Sequence, residues 1–396
     1  MSAAPGGNLD ARLERSGGRA LRLLGGGGRE GALAAHESQG ARSGAPDARD
    51  RAAIAASLLK HWQARPQEAL AGRDRAHEAD FIAAELIDTA NAALDLLRAD
   101  GPRAALAQSQ AMALESVLMV RGRPALRVQG AAIEPIDDDR HPGSGVWRTL
   151  LNDHEKALAR RAAAVAGVMY KDNYSADPEL VVGTAWLVAP DLAITNRHVL
   201  LPDASLRLAR RRPGTPTQAR LKSDVSVCLD FAYDNGPARS LRYRIDDIVF
   251  VAEDNDPIDV AVLRVRPQDP NAPGLPAPLR VARQDEWDSD RVCVVGHPGR
   301  MAQVPADTAA VFGDPDGRKR VSFGELMDPD DAKPHDLIYD SSTIGGYSGG
   351  TVSPVGAGGA DDGVIGLHYR GGDIATGNRA ILASALRAHA VQAWLP

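Results

Sequence analysis

The chain has 396 residues, of which 44% are hydrophobic and 25% are charged, and its formal net charge is −6. This is a globular composition, and the length is sufficient for a large core and for two or three domains. The mild acidity and the lack of a long basic block argue against nucleic acid or an anionic membrane as a partner. No apolar run approaches the ~20 residues of a membrane span.

The N-terminal stretch contains no secretory core, because its short leucine-rich run is interrupted by Arg22 and bounded by glycines. We therefore predict a cytoplasmic protein. Two cysteines, Cys228 and Cys293, each lie in an apolar, strand-like run without a CxxC motif or a neighbouring Cys/His cluster. They are predicted to be small buried hydrophobic residues, and no metal or organic cofactor is expected.

The N-terminal part of the sequence is predicted to be mainly helical. Residues 1–48 are rich in Gly, Ala, Arg and Ser and predict a flexible arm. Residues 49–130 carry apolar side chains at helical spacing and predict a small helical domain, with its last helix beginning near Pro102. No cluster in this domain suggests chemistry, so we expect a regulatory or partner-binding role. Residues 131–165 predict a linker, in which His141 is expected to be exposed, and a connecting helix.

Residues 166–396 contain short strand-like runs separated by turn residues, followed by an amphipathic end helix. Many short strands at this spacing predict antiparallel barrels or a sandwich, and their number suffices for two six-stranded barrels. The candidate strands are 166–170, 180–189, 191–195, 225–232, 241–251, 258–265, 291–296, 308–312, 335–340, 350–354, 363–370 and 378–382.

One glycine-rich segment, DSSTIGGYSGGTV, has the composition of a nucleophile loop. Ser348 follows Gly345, Gly346 and Tyr347 and precedes two further glycines. Glycine allows sharp turns and close approaches, so such a loop can present a hydroxyl and direct neighbouring N–H groups at one point. Taken alone, however, Gly-Ser-Gly runs are more often turns or linkers.

Two upstream segments favour a catalytic interpretation. His198 lies in TNRHV, shortly after GTAWLV, and Asp259 begins the apolar strand of DPIDVAVLRV, 61 residues later. Ser348 follows after another 89 residues. TNRHV and GTAWLV resemble the catalytic-histidine segment of trypsin-like serine proteases, and the chain order His, Asp, Ser is that of the trypsin fold. The resemblance covers about residues 165–396. It implies a trypsin-like double antiparallel β-barrel following the helical region.

The resemblance implies a role for each of these residues. Ser348 would be the nucleophile, His198 the general base and Asp259 the group that orients the imidazole. The N–H groups of Gly346 and Ser348 would form the oxyanion hole. Free imidazole loses its proton near pH 6.5, so activity is predicted to rise through about pH 6–7.5.

The segments STIGGYSGG and GVIGLHYRGG are similar to those of glutamyl endopeptidases, which cleave after acidic residues. This similarity implies that Thr343 and His368 hold a substrate carboxylate, and neighbouring Arg370 could add positive charge. Ser342 occupies the position where trypsins carry an acid, so cleavage after Arg or Lys is not expected. Secreted glutamyl endopeptidases also use a processed N-terminal amine near the pocket, whereas this chain has a long N-terminal extension.

The RYRIDD, VGHP and GLHY segments are similar to those of bacterial cytosolic trypsin-like proteases that act as defence effectors. His297, in VGHP, is expected to be a structural turn residue. Tyr347 replaces the aspartate that captures a new N-terminus in pancreatic proteases, so that activation switch is predicted to be absent. This pattern favours a regulated enzyme, controlled through residues 1–165 by an activating protein or an upstream protease.

Two other functions remain open from the sequence. The first is a catalytically silent protease-like module that serves as a binding scaffold, although all three triad positions are present. The second is a quality-control protease of the HtrA type, which would carry a peptide-binding module downstream of the protease domain. A protein or peptide is the expected partner in each case.

Overall fold

A computed structural model describes residues 20–21, 45–64, 74–102, 104–136, 141, 144–202, 207–236, 241–269, 274–283, 289–299, 306–312, 315–355, 363–372 and 377–396. Most of the predicted N-terminal arm, residues 1–48, lies outside these ranges. The described chain contains helices, then two antiparallel sheets.

The predicted helical domain contains three helices: α1 (Ala48–Ala64), α2 (Arg75–Asp100) and α3 (Gln108–Gly122). The Asp74 side chain caps α2 by accepting hydrogen bonds from two backbone N–H groups of its first turn. Small residues such as Ala83 and Ala90 form much of the buried stripe of α2, which lets neighbouring helices approach closely. The last helix begins at Gln108 rather than near Pro102.

A short hairpin joins this helical region to the rest of the chain. Its strands are β1 (Ala125–Gln129) and β2 (Ala132–Ile133). Strand β1 also pairs antiparallel with β12 (Arg320–Glu325), so the end of the predicted helical domain adds a strand to the C-terminal sheet. His141 is only 4% exposed, and the prediction that it is exposed was therefore wrong. The connecting helix, α4, spans Gly145–Ala163.

Six strands of the N-terminal sheet close into a barrel, because β10 pairs with both β5 and β9. The short helix α5 (Arg197–Leu200) follows β5. The barrel strands are β3 (Val165–Asp172), β4 (Leu180–Ala189), β5 (Leu192–Thr195), β8 (Val225–Asp230), β9 (Arg242–Val251) and β10 (Ala261–Pro267). Strands β6 (Ala209–Arg212) and β7 (Thr215–Leu221) extend the sheet beyond β9.

The second barrel contains β12 and five further strands. They are β11 (Arg291–Gly296), β13 (Asp336–Tyr339), β14 (Thr351–Pro354), β15 (Gly366–Arg370) and β16 (Asn378–Leu382). Hydrogen bonds from Met327 N–H to Ile338 O (2.8 Å) and from Asp340 N–H to Glu325 O (3.1 Å) bring β12 against β13. The predicted arrangement, helices followed by a double antiparallel barrel, is confirmed. Helix α7 (Ala383–Ala388) and a 3₁₀ helix (Ala390–Trp394) follow the last strand.

One predicted strand is a helix. Residues 308–312 lie in α6 (Ala306–Phe312), because a short apolar run fits a buried helix as well as a strand. The strand that completes the second barrel is instead β12, which the sequence did not predict. It begins with Arg320, a fully buried residue whose guanidinium donates to Asp316 Oδ1 at 3.0 Å. This ion pair, in which the Asp316 side chain is 23% exposed, compensates the buried charge of Arg320 and allows the charged segment to lie in the barrel.

Helix α6 connects the helical region to the second barrel. Both α1 and α3 pack against it, and one apolar cluster includes these helices and the barrel. On its other side, the Phe312 ring contacts the Tyr347 ring edge-on, with centroids 6.2 Å apart. The helical region therefore reaches, through one helix, the residue that precedes Ser348.

Candidate active site

His198 and Asp259 meet at one end of the first barrel. His198 lies in α5, directly after β5, and Asp259 lies two residues before β10. Because β5 and β10 are paired antiparallel, with Thr195 opposite Ala261, the end of one strand adjoins the start of the other. The strand register therefore brings together two residues that are 61 positions apart.

Two hydrogen bonds join these residues. His198 Nδ1 lies 2.5 Å from Asp259 Oδ2, and the backbone N–H of His198 donates to Asp259 Oδ1 at 3.0 Å. The Asn196 amide donates to the Asp259 backbone oxygen at 2.8 Å, which fixes the acid from the other side. Only 15% of the Asp259 side chain is exposed, so the carboxylate is largely shielded from water, whereas 37% of the His198 side chain is exposed.

The Asp259 carboxylate stays ionised in this setting. Burial acts to raise its pKa, but hydrogen bonds and charge from His198 outweigh this effect, and the pKa lies below its usual value. An ionised carboxylate can only accept a hydrogen bond, so Nδ1 of the neutral imidazole carries the proton. The other ring nitrogen, Nε2, is then free to accept a proton from a nucleophile.

The loop that carries Ser348 is attached to both barrels. Thr184 of β4 donates its N–H to Ser348 O at 2.8 Å, and Gly349 N–H donates to His368 O of β15, also at 2.8 Å. The Ser348 side chain is half-buried. Within the described part of the chain, no hydrogen bond joins the Ser348 hydroxyl to His198.

Two glycines of this loop occupy positions that a side chain could not. Gly349 has φ +88°, and a Cβ there would lie 1.9 Å from Thr184 O. Gly346 has φ +98°, and a Cβ there would lie 2.4 Å from the backbone nitrogen of Gly299. Both the positive φ and the close backbone contacts therefore require glycine.

Two peptide N–H groups of the loop are available as donors. Gly299 N–H donates to Gly345 O at 2.6 Å, and Gly350 N–H donates to Tyr347 O at 2.7 Å. Both peptides are trans, so the N–H groups of Gly346 and Ser348 point away from these contacts. Neither N–H has an acceptor among the described residues. Both N–H groups are therefore available to an acceptor from outside these residues.

The residues predicted to bind a substrate side chain lie in two neighbouring segments. Thr343 is half-buried and its hydroxyl donates to Asn378 Oδ1 at 2.8 Å; the same oxygen accepts from Gly372 N–H at 3.2 Å. Asn378 therefore holds the segment before Ser348 against the segment after β15. Ser342 is fully buried, and its hydroxyl donates to the backbone oxygen of Arg123 at 2.7 Å.

His368 lies beneath these segments with 1% of its surface exposed. Burial, helped by the nearby His198, lowers its pKa to about 3, so the imidazole is neutral. Its Nδ1 is hydrogen-bonded to the hydroxyl of Tyr339. Arg370, at the end of β15, is exposed to solvent. Of the residues predicted to bind a substrate carboxylate, Arg370 is therefore the one that carries a positive charge.

Sequence reasoning missed three side chains that shape this site: Thr184, Tyr339 and Asn378. Each lies in a strand whose buried pattern was predicted, but the hydrogen-bond partner of a buried polar group depends on the tertiary fold. GTAWLV was the only signal, because it drew attention to Thr184. His297 is a buried turn residue, as expected; its Nδ1–H donates to Gly317 O at 2.9 Å.

Residues 183–354 match the profile of the family described as the trypsin-like peptidase domain. The chain has a trypsin-like fold. The matched segment includes His198, Asp259 and Ser348, and the match supports a peptidase function. A similar solved structure is the crystal structure of the scabies mite inactivated protease paralogue S-I1, with 12% identity and a TM-score of 0.37 over 59% of this chain and 95% of that one. No curated protein matches the chain.

The described residues contain no group of three or more His, Cys, Asp or Glu side chains that could hold a metal ion. None of the helices in those ranges is long and apolar enough to cross a membrane. Cys228 and Cys293 are both free and buried, and burial raises the pKa of the Cys228 thiol to about 12.

Proposed function

We propose that this chain is a serine endopeptidase that acts through His198, Asp259 and Ser348. The observation that carries the proposal is the short His198–Asp259 hydrogen bond, at the barrel end to which Thr184 attaches the Ser348 loop. A buried carboxylate that orients an imidazole next to a glycine-flanked serine is the arrangement required to activate a hydroxyl.

In the proposed reaction, His198 Nε2 accepts the Ser348 proton as Ser348 Oγ attacks the substrate carbonyl carbon. The carbonyl oxygen becomes an oxyanion that accepts hydrogen bonds from Gly346 and Ser348 N–H, each contributing about 3–4 kcal/mol to the transition state. The imidazolium, stabilised by Asp259, returns the proton to the leaving amine. The resulting acyl-enzyme is hydrolysed by water through the same proton transfers.

We extend the proposal to a preference for Glu or Asp before the cut. The Tyr339 hydroxyl has His368 Nδ1 as its hydrogen-bond partner, and no other among the described residues. Its proton therefore belongs in that bond, and the proton of the neutral imidazole is placed on Nε2. An Nε2–H donor on His368 suits a carboxylate, and the Thr343 hydroxyl would add a second donor by turning from Asn378 Oδ1 to the substrate.

The charges around the pocket support the same preference. Ser342 places no carboxylate there to attract Arg or Lys, and the exposed Arg370, two residues after His368, provides a positive charge. Since burial keeps His368 neutral, the pocket binds a carboxylate by hydrogen bonds and by the field of Arg370. A bound carboxylate would in turn raise the pKa of His368.

The helical region is proposed to regulate the enzyme in response to an activating protein or an upstream protease. The support is the packing of α1 and α3 on α6, whose Phe312 contacts Tyr347. Resemblance to bacterial cytosolic effector proteases favours the same role, with a protein as the natural substrate.

A cleavage-site profile tests the activity and the preference together. Wild type, Ser348→Ala and the double variant Thr343→Val/His368→Leu are each incubated with a diverse peptide mixture, and new termini are read by mass spectrometry. Wild type should cut after Glu or Asp, and Ser348→Ala should not cut. The double variant should lose about 10- to 100-fold in kcat/KM after acidic residues, as expected for a lost hydrogen bond to a charged group.

The contrary outcomes separate the parts of the proposal. A uniform loss at all residues in the double variant rejects the acidic pocket and leaves the triad standing. Equal cleavage by wild type and Ser348→Ala rejects Ser348 as the nucleophile. A folded wild type that cuts nothing supports the binding-scaffold alternative instead.

A further inference from the structure

Three successive peptide groups of the Ser348 loop are each held through their carbonyl oxygen. Gly299 N–H holds Gly345 O at 2.6 Å, and Gly350 N–H holds Tyr347 O at 2.7 Å. Between them, the Thr184 hydroxyl donates to Gly346 O at 2.8 Å. The outer two peptides carry the N–H groups of Gly346 and Ser348. The middle peptide connects those two donors, and a side chain from the other barrel holds it.

The direction of the Thr184 hydroxyl is fixed by a second contact. The backbone N–H of His297 donates to Thr184 Oγ1 at 3.0 Å. Since an N–H group can only donate, the hydroxyl proton must point to Gly346 O. Thr184 is fully buried, so water does not compete for either bond. One hydroxyl therefore connects β4 of the first barrel, the turn after β11 and the Ser348 loop.

The backbone of Thr184 has further contacts with the same loop. Its N–H donates to Ser348 O, and its oxygen accepts from the Thr195 hydroxyl at 2.7 Å, three residues before His198. Thr184 thus contacts the loops of both the proposed nucleophile and the proposed base. A small displacement of its side chain would directly change the hydrogen bond to Gly346 O.

We propose that Thr184 is a positioning residue, whose hydroxyl fixes the Gly346–Tyr347 peptide so that the Gly346 and Ser348 N–H groups converge. The inference rests on the proposed serine-protease function and adds a residue to it. Without the hydroxyl, the middle peptide retains, among the described residues, only the longer bond from Tyr347 N–H to Ile344 O, at 3.2 Å. Gly346, which has no side chain, offers little steric resistance to rotation of that peptide.

The test compares Thr184→Val, which keeps the shape but lacks the hydroxyl, with Thr184→Ser, which keeps the hydroxyl. Thr184→Val should lower kcat by ~10- to 100-fold, less than the ~100- to 1,000-fold loss for deleting an oxyanion donor outright. KM should change by less than ~2-fold and the midpoint of the pH profile should not move, because neither His198 nor Asp259 is touched. Thr184→Ser should retain activity within ~3-fold.

Thr351→Val is the matched control. Thr351 is a buried threonine near the same loop, but its hydroxyl has no hydrogen-bond partner among the described residues. This variant should behave like wild type. Equal kcat in Thr184→Val and wild type, or equal losses in Thr184→Val and Thr184→Ser, would overturn the proposal.

A crystal structure of Thr184→Val gives a readout that does not depend on activity. The Gly346 carbonyl should turn away from residue 184, and the Gly346 and Ser348 N–H groups should no longer converge. An unchanged Gly346–Tyr347 peptide would overturn the inference. Thr184→Ala replaces the valine variant if the latter does not fold. If wild type proves to have no peptidase activity, the proposed function fails, while the peptide orientation still decides whether Thr184 positions the loop.

Discussion

At the scale of single residues, folding lowers the pKa of two histidines. His297 and His368 are both buried, and burial lowers the pKa of each to about 3; Lys319 adds to the effect at His297, and His198 at His368. An unfolded chain binds a proton at each histidine below about pH 6.5, whereas the folded chain does so only near pH 3. Folding stability therefore falls as the pH drops from 6.5, by about 1.4 kcal/mol per pH unit for each such histidine.

We predict that His297→Asn reduces this pH dependence. An asparagine amide can replace the Nδ1–H donor to Gly317 O, but it does not titrate. Between pH 6.5 and 5, the loss of unfolding free energy should be smaller in the variant by about 2 kcal/mol. Urea unfolding at the two pH values measures the change in unfolding free energy within each protein, and the two changes are then compared. An equal loss in wild type and variant would show that His297 is not a buried neutral group.

Some roles of single residues could be predicted from the sequence and others could not. His198 follows an apolar strand and Asp259 precedes one, whereas Ser348 lies in a glycine-rich loop; strand pattern and motif together therefore predicted these residues. Thr184 lay inside a quoted motif, but its side-chain partners, Gly346 O and His297 N–H, come from the other barrel. Such contacts depend on how two barrels dock, which a local pattern does not contain.

At the scale of elements, α6 is the connection between the helical region and the proposed active site. It follows the turn at Gly299, whose N–H holds Gly345 O, and its Phe312 packs on Tyr347. The Tyr347 hydroxyl is hydrogen-bonded to Ser322 of β12 at 2.9 Å, so this ring is held from two sides. Displacing α1 and α3 would change the support of α6 and hence of the Ser348 loop.

We predict that Phe312→Leu lowers kcat by ~3- to 10-fold while the helical content stays the same, because the Tyr347 ring loses an aromatic contact. Phe81→Leu in α2 is the control, since Phe81 is 53% exposed and makes no aromatic contact among the described residues. Steady-state kinetics and far-ultraviolet circular dichroism measure both effects. Identical kcat values in the two variants would argue against control through α6.

The secondary-structure elements also include features that a local sequence pattern does not predict. Short strand-like runs between turn residues predicted most barrel strands, whereas β12 begins with a charged residue whose burial depends on an ion pair with Asp316. The run at 308–312 is too short for its period to distinguish helix from strand. The pairing of strand β1 with β12, nearly 200 residues away in the sequence, could not be predicted from a local pattern.

At the scale of the whole molecule, the proposed active site is formed where the two barrels meet. The first barrel provides His198 and Asp259, and the second provides Ser348 and the two N–H donors. Thr184 joins the two halves through its backbone N–H and its hydroxyl. We propose that this junction activates the Ser348 hydroxyl.

Labelling with a fluorophosphonate measures that activation most directly, because the reagent reacts with an activated serine and needs no knowledge of the substrate. Native wild type should gain one adduct, which peptide mapping places on Ser348. His198→Ala should react at least ~100-fold more slowly, in keeping with the loss of a general base, and Ser348→Ala should remain unlabelled. A native wild type that reacts no faster than His198→Ala would contradict the account.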